Sequence, residues 1–160
     1  MNNVKYEDVL MQLYPRLTVV SEQLQQKIMR LAIRSFSSFK TADNCADKIL
    51  KVVESKKKID ELHYLLTQVI KRLSEEEKAI FNYRYYNYRS IDGFDYCSRS
   101  YYRKQNNAFS RLRELLNFIG LTEDSFYKNY ANIPCVKVII ENHSAKKKKL
   151  SLSYVKDIFV

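Results

Sequence analysis

The sequence predicts a mainly α protein, a helical bundle that ends in a short β-hairpin, and three observations carry that expectation. The 160 residues include only 2 Gly and 2 Pro, whereas an all-β chain uses both in its frequent turns. Long stretches place apolar residues three and four apart, the spacing of one helix face. After Pro134 that spacing gives way to β-branched and alternating residues, the pattern of strands. With 46% apolar residues, 13 Tyr and 8 Phe, the chain has enough to bury a core, and disorder is excluded.

Residues 4–14 read as a short helix that Pro15 ends, because proline cannot continue the hydrogen-bond ladder. Leu17, Val20, Leu24, Ile28 and Leu31 then recur at three and four, with Glu22, Gln23, Gln25, Gln26 and Lys27 between them. That is a one-sided apolar stripe on a helix over 17–34. The segment SFSSFKTADN is a connector, and its Thr41, Asp43 and Asn44 suit the start of the next helix. This helix, 43–73, is the longest. Lys56, Lys57 and Lys58 interrupt its first half, and from Ile59 the residues Leu62, Leu66, Val69 and Leu73 keep a strict three-four alternation. Such a seam packs against another helix. Two arrangements satisfy it, a hairpin with 17–34 inside one chain or a coiled-coil homodimer through 43–73.

Ser74-Glu75-Glu76-Glu77 is a capping box: Ser74 accepts from the amide of residue 77 while Glu77 reaches back to the amide of 74. Three carboxylates there also meet the positive end of the helix dipole. The helix runs over 75–87 and includes the aromatic run FNYRYYNYR, and RSIDGFDYC around Gly93 follows as a loop or single turn. Ser98 or Ser100 opens the next helix and Gly120 ends it. A last short helix begins at Thr122, with Glu123 and Asp124 in its first turn, and stops before Pro134. Residues 135–141 and 150–159 read as two strands joined by NHSAKKKK. A lone hairpin is marginal in water, so this one has to pack on the helices or pair with another molecule. The expected division is 1–73 as an N-terminal helical hairpin, 74–133 as a central helical region and 134–160 as a β-hairpin extension.

Several kinds of chemistry are excluded. Phosphate-cradling loops, nucleophile elbows and dinucleotide fingerprints need several glycines at fixed spacing, and Gly93 and Gly120 stand alone. Cys45, Cys97 and Cys135 are odd in number and far apart, and no apolar leader precedes them, which reads as free thiols in a reducing cytoplasm. With His63 and His143 they supply no pair at metal-ligand spacing, so neither metal nor cofactor is expected. No apolar run approaches the roughly 20 residues of a membrane span. Glu75, Glu76 and Glu77 form the one carboxylate cluster and a helix cap explains them; His63 lies beside the apolar seam as a packed or surface residue. An enzyme is not expected.

The net charge of +10, from 28 Lys+Arg and 18 Asp+Glu, points to an anionic partner only once it is localised. From Tyr96 to Arg113 five basic residues, Arg99, Arg103, Lys104, Arg111 and Arg113, occur without an acid, and a second acid-free cluster is Lys146 to Lys149. On a helical wheel of 99–119 one face gathers Tyr101, Ala108, Leu112, Leu115 and Ile119, with Phe109 and Leu116 beside it, and is core. The opposite face gathers Arg99, Arg103, Asn106, Ser110 and Asn117, flanked by Tyr102, Asn107 and Arg113. Arg can bond two acceptors on guanine, Asn the donor-acceptor pair on adenine, and Ser and Tyr can bond phosphates. An ordinary surface helix would instead carry Glu and Lys pairs at i, i+4.

The stretch LSEEEKAIFNYRYY followed by SRSYYRKQNNAFSRL resembles region four of bacterial sigma factors, and more closely the sigma-region-four-like phage regulators of the ArpU type. The residues that carry the resemblance are Leu73, Ser74, Glu77, Arg84 and Tyr85, then Ser98, Tyr101, Tyr102, Arg103, Lys104, Ala108 and Phe109. It covers about 43–119. The resemblance implies that 74–133 is a helix-turn-helix-like unit, that helix 98–119 reads double-stranded DNA, and that RNA polymerase is a further partner. This chain departs from the family between the two helices, where NYRSIDGFDYC is several residues shorter and holds Gly93; an abbreviated turn, with Ile91, Phe94 and Tyr96 packing beneath Tyr101 and Phe109, is the expectation. The expected DNA-contacting residues are Arg89, Arg99, Ser100, Tyr102, Arg103, Lys104, Asn106, Asn107, Ser110 and Arg113, with Lys147 and Lys148 at the hairpin tip. That tip reads equally as a wing on phosphates, a solvated loop, or part of an edge strand that pairs with a partner or a second copy. The expected function is a sequence-specific transcriptional regulator. The alternative is a non-catalytic helical adaptor with a degenerate helix-turn-helix, and RNA binding through the tyrosine run 83–88 is a third.

Overall fold

A computed structural model describes residues 5–37, 42–86 and 98–146, and every regular element among them is helical. Helix α1 spans Tyr6–Leu13, α2 Leu17–Ser37, α3 Ala42–Lys71, α4 Glu75–Phe81, α5 Ser98–Phe118, α6 Glu123–Asn129 and α7 Pro134–Lys146. Pro15 sits in a single 3-10 turn, Tyr14–Arg16, that ends α1 and leads into α2. A wide π-helical turn, Asn82–Tyr86, prolongs α4.

Helices α2 and α3 form an antiparallel hairpin. Tyr14 lies beside Thr67, its hydroxyl 3.3 Å from Oγ1, and the Ser21 hydroxyl donates to Asp60. Burial alone would raise the Asp60 pKa, but the hydrogen bonds from Lys56 and Ser21 outweigh it and hold the carboxyl below its usual range. Helix α2 is longer than its sequence suggests: residues 35–37, expected in the connector, continue the helix, and the hydroxyls of Ser35 and Ser37 donate back to the carbonyls of Ala32 and Arg34. The seam Ile59, Leu62, Leu66, Val69 and Leu73 is buried inside this chain, each residue 0–4% exposed. Of the two arrangements open to those residues, the intramolecular one is realised.

One apolar core takes residues from α1 through to α7. Helix α1 is its central strut, with Val9, Leu10, Met11 and Leu13 at most 1% exposed, and it packs on both α5 and α7. The expected capping box at Ser74 is present in both directions, Ser74 N–H to Glu77 at 2.8 Å and Glu77 N–H to Ser74 Oγ at 3.2 Å. Gly120 ends the helical run with φ +83, while the Leu121 amide reaches the Leu116 carbonyl at 2.9 Å. An L side chain is strained at that φ, which is why the stop falls on glycine. Thr122 caps α6 through the Ser125 amide.

The strand expected over 135–141 is not formed, and the terminal β-hairpin is corrected accordingly. Pro134 occupies the first position of a helix, where its missing N–H and fixed φ are favourable, and the Lys137 amide bonds the Ile133 carbonyl at 2.9 Å. Ile133, Val136 and Ile139 are buried, Cys135 and Ile140 half-buried, and Lys137 exposed. That is a three-four face, and β-branched side chains accept helical backbone when such a face has a core to fill. The second expected strand, 150–159, lies outside the described residues, as do Lys147 and Lys148. No described helix is long and apolar enough to cross a membrane.

Candidate nucleic-acid interface

Helix α5 has 21 residues, about 31 Å at 1.5 Å per residue, and lies with one face in the core. Ala108, Leu112, Leu115 and Leu116 are buried there, and Tyr101, Phe109 and Ile119 half-buried. Gln105, at 9% exposure, joins them. Helix α4 and its π turn meet α5 through aromatic edges: Phe81 meets Phe109 edge-to-face at 5.2 Å, and Tyr83 meets Tyr101 at 5.7 Å. Such pairs contribute about 0.5–1.5 kcal/mol beyond their buried area, and they fix how α5 is rotated about its own axis.

Three ion pairs complete that placement. Arg113 donates to Glu7 of α1, a carboxylate only 2% exposed, and Lys104 donates to Glu76 of α4. Arg84, on the π turn, approaches Asp8 at 3.4 Å and lies over the rings of Tyr85 and Phe109 at 5.5 and 5.2 Å. Tyr85 donates to the same Asp8 oxygen. Burial, and next the carboxylate that accepts its hydrogen, push the Tyr85 phenol well above its ordinary range. The Arg113 guanidinium is raised above its ordinary range by its hydrogen bond to Glu7 and by that residue's charge.

The outward face of α5 is polar. Arg99, Tyr102, Arg103, Asn106, Asn107 and Ser110 are exposed, Ser100 is half-buried, and no acid precedes Glu114 on this helix. Among the described residues Arg99 and Arg103 form no ion pair, whereas Arg111 is 3.3 Å from Glu114. Of the expected contact residues, Lys104 and Arg113 thus sit on the two shoulders of α5 and bind acids of this chain. Arg89 and the abbreviated turn 89–97 lie outside the described residues. Beside the C-terminal end of α5, Arg72, Arg111, Glu114, Leu115 and Phe118 line an open groove of about 550 Å³, with the Arg72 guanidinium 5.5 Å from the Phe118 ring centre.

Sequence reasoning missed Glu7 and Asp8 as anchors of this face. A signal was present: α1 is apolar nearly all round, and an acid on a helix buried on every side needs a cationic partner. Among the described residues no group of three or more His, Cys, Asp and Glu is arranged to hold a metal ion. Compared with protein-family models, curated proteins and solved structures, the chain matches none.

Proposed function

We propose that the protein is a sequence-specific DNA-binding transcriptional regulator of the sigma-region-four-like type, which places α5 in the major groove with α4 propped behind it. The observation that carries the reading is the outward face of α5. Arg99, Arg103, Asn106, Asn107 and Ser110 stand exposed together, without an acid, over the helix's first three turns. These are the side chains that read guanine and adenine edges and hold phosphates. The N-terminal end of a recognition helix is the part that meets base edges, and Arg99 and Arg103 occupy that end here. Lys104 and Arg113 hold the helix in place and are positioning residues in this reading. Contact with RNA polymerase, an expectation from the resemblance, belongs to the same proposal.

The test is selection of duplex from a random library by the full chain, then titration of the selected site. Affinity is expected to fall by orders of magnitude between about 50 and 200 mM salt. Replacing Arg99 and Arg103 by Ala is expected to weaken specific binding by at least about 30-fold, from about 1–3 kcal/mol for each bidentate contact, with the helical signal unchanged. Binding that survives both substitutions removes α5 from the role. No selected site and no salt-dependent affinity would favour the helical adaptor instead, for which the Phe118 groove is the specific feature.

A further inference from the structure

The half of the α2–α3 hairpin that lies away from the core keeps an apolar face in solvent. Met29, Ile33 and Phe36 are 56%, 66% and 88% exposed, and Leu50 and Val53 are 60% and 41% exposed. Ala46 is exposed as well. Each set keeps the three-four spacing of one helix face. These stripes are additional to the ones that join the two helices, where Leu24, Ile28 and Leu31 of α2 and Ile49 and Val52 of α3 are half-buried. On a wheel the exposed stripe stands about 130° round from the joining stripe in α2 and about 100° round in α3, in the same rotational sense. Because the helices are antiparallel, equal senses bring both stripes to one side of the hairpin. The opposite side carries Lys27, Arg34 and Lys48, all exposed.

We infer that this face is the contact for a second copy of the chain, which closes two hairpins into a four-helix bundle. A helix in such a bundle touches two neighbours along its apolar positions; in this outer half of the hairpin α2 and α3 pack on each other and carry apolar surface for a second neighbour. The six side chains expose roughly 600 Å², the upper limit of what a monomer usually leaves bare, and a polar rim brings that to about the 800 Å² per partner of a stable interface. A twofold axis lays the stripes of one copy on those of the other, so that the contact uses the same surface of both copies.

The test is the mass of the full chain by sedimentation equilibrium over a range of concentrations. A mass of twice 19.1 kDa is expected at tens of micromolar. Ile33→Glu with Leu50→Glu is expected to shift the dimer constant at least about 100-fold toward monomer with the far-UV helical signal unchanged. Phe36→Ser, at the most exposed position, reads the same contact without disturbing a buried atom. Phe118→Ser, exposed elsewhere, is expected to leave the mass unchanged. A native chain that stays monomeric at ~100 µM, or a dimer that survives Ile33→Glu with Leu50→Glu and Phe36→Ser, overturns the inference.

Discussion

Replacing Arg113 by Ala separates a scaffolding arginine from a DNA-reading one. Glu7 is 2% exposed, and its Oε1 accepts from Arg113 while its Oε2 has no hydrogen-bond partner. Removing the guanidinium leaves a carboxylate in the core beside Tyr6, which is 3% exposed. For a fully buried pair the loss of one partner costs about 3–5 kcal/mol, and for an exposed pair about 0–1 kcal/mol. The Arg113 side chain is 53% exposed, so water can enter the space it vacates, and a value of about 2 kcal/mol lies between those limits. In a chain of this size that lowers Tm by about 4–8 °C. The assay is thermal and urea unfolding followed by far-UV circular dichroism, completed as a double-mutant cycle with Glu7→Leu. The double variant is expected to recover most of the loss, since it also removes the stranded charge. Unchanged stability in Arg113→Ala, within about 0.5 kcal/mol, refutes the reasoning; Arg113 would then be free to act on a ligand.

Two further outcomes follow from the same packing. Tyr6 is pushed up to about 12 by burial first and the Glu7 charge next, and Tyr130 to about 12 by burial and Glu61; the unfolded phenol titrates near 10. The folded state therefore holds protons that the unfolded state releases, so stability is intact below pH 10 and falls as pH rises from 10 toward 12. Spectrophotometric titration of the phenolates is expected to show a late-ionising group of tyrosines whose ionisation coincides with loss of helix, and a single transition near pH 10 with helix retained would contradict it. For α7, Val136→Asp and Ile139→Asp are each expected to destabilise by at least about 3 kcal/mol, and Lys137→Ala by less than about 0.5 kcal/mol. Residues three apart face opposite sides of a strand, so tolerance at either apolar position would restore the strand assignment.

The helices were legible where one signal acted alone. The 17–31 stripe, the Ser74 cap and the Gly120 stop depend on local chemistry, and each appears in the structure as the spacing implies. The 134–146 segment carried two signals at once. Val136, Val138, Ile139 and Ile140 favour strands by side-chain shape, while Ile133, Val136, Ile139 and Ile140 also fit a helix face with Pro134 at its start. Only contact with α1, which no local pattern encodes, decides between them. The outward face of α5 was legible for the same reason as the stripes, whereas the engagement of Lys104 and Arg113 was not. Their partners Glu76 and Glu7 lie 28 and 106 residues away in sequence, and a wheel drawn on one helix cannot contain them.

Those long-range partners also sharpen where an anion is drawn. The shoulder cations of α5 are neutralised by Glu7 and Glu76, and the arginine nearest its C-terminal end, Arg113 apart, is 3.3 Å from Glu114. The positive charge left on the helix is concentrated in its first two turns, at Arg99 and Arg103, where the amide groups of the helix end add about half a unit charge of the same sign. A field shaped this way orients an approaching phosphate chain before any base is read. If two copies join through the hairpin arms about a twofold axis, the two α5 ends are related by that axis, and the duplex they select has to carry the same symmetry. A selected site without dyad symmetry, from a chain proven dimeric, would mean that only one α5 of the pair meets the DNA.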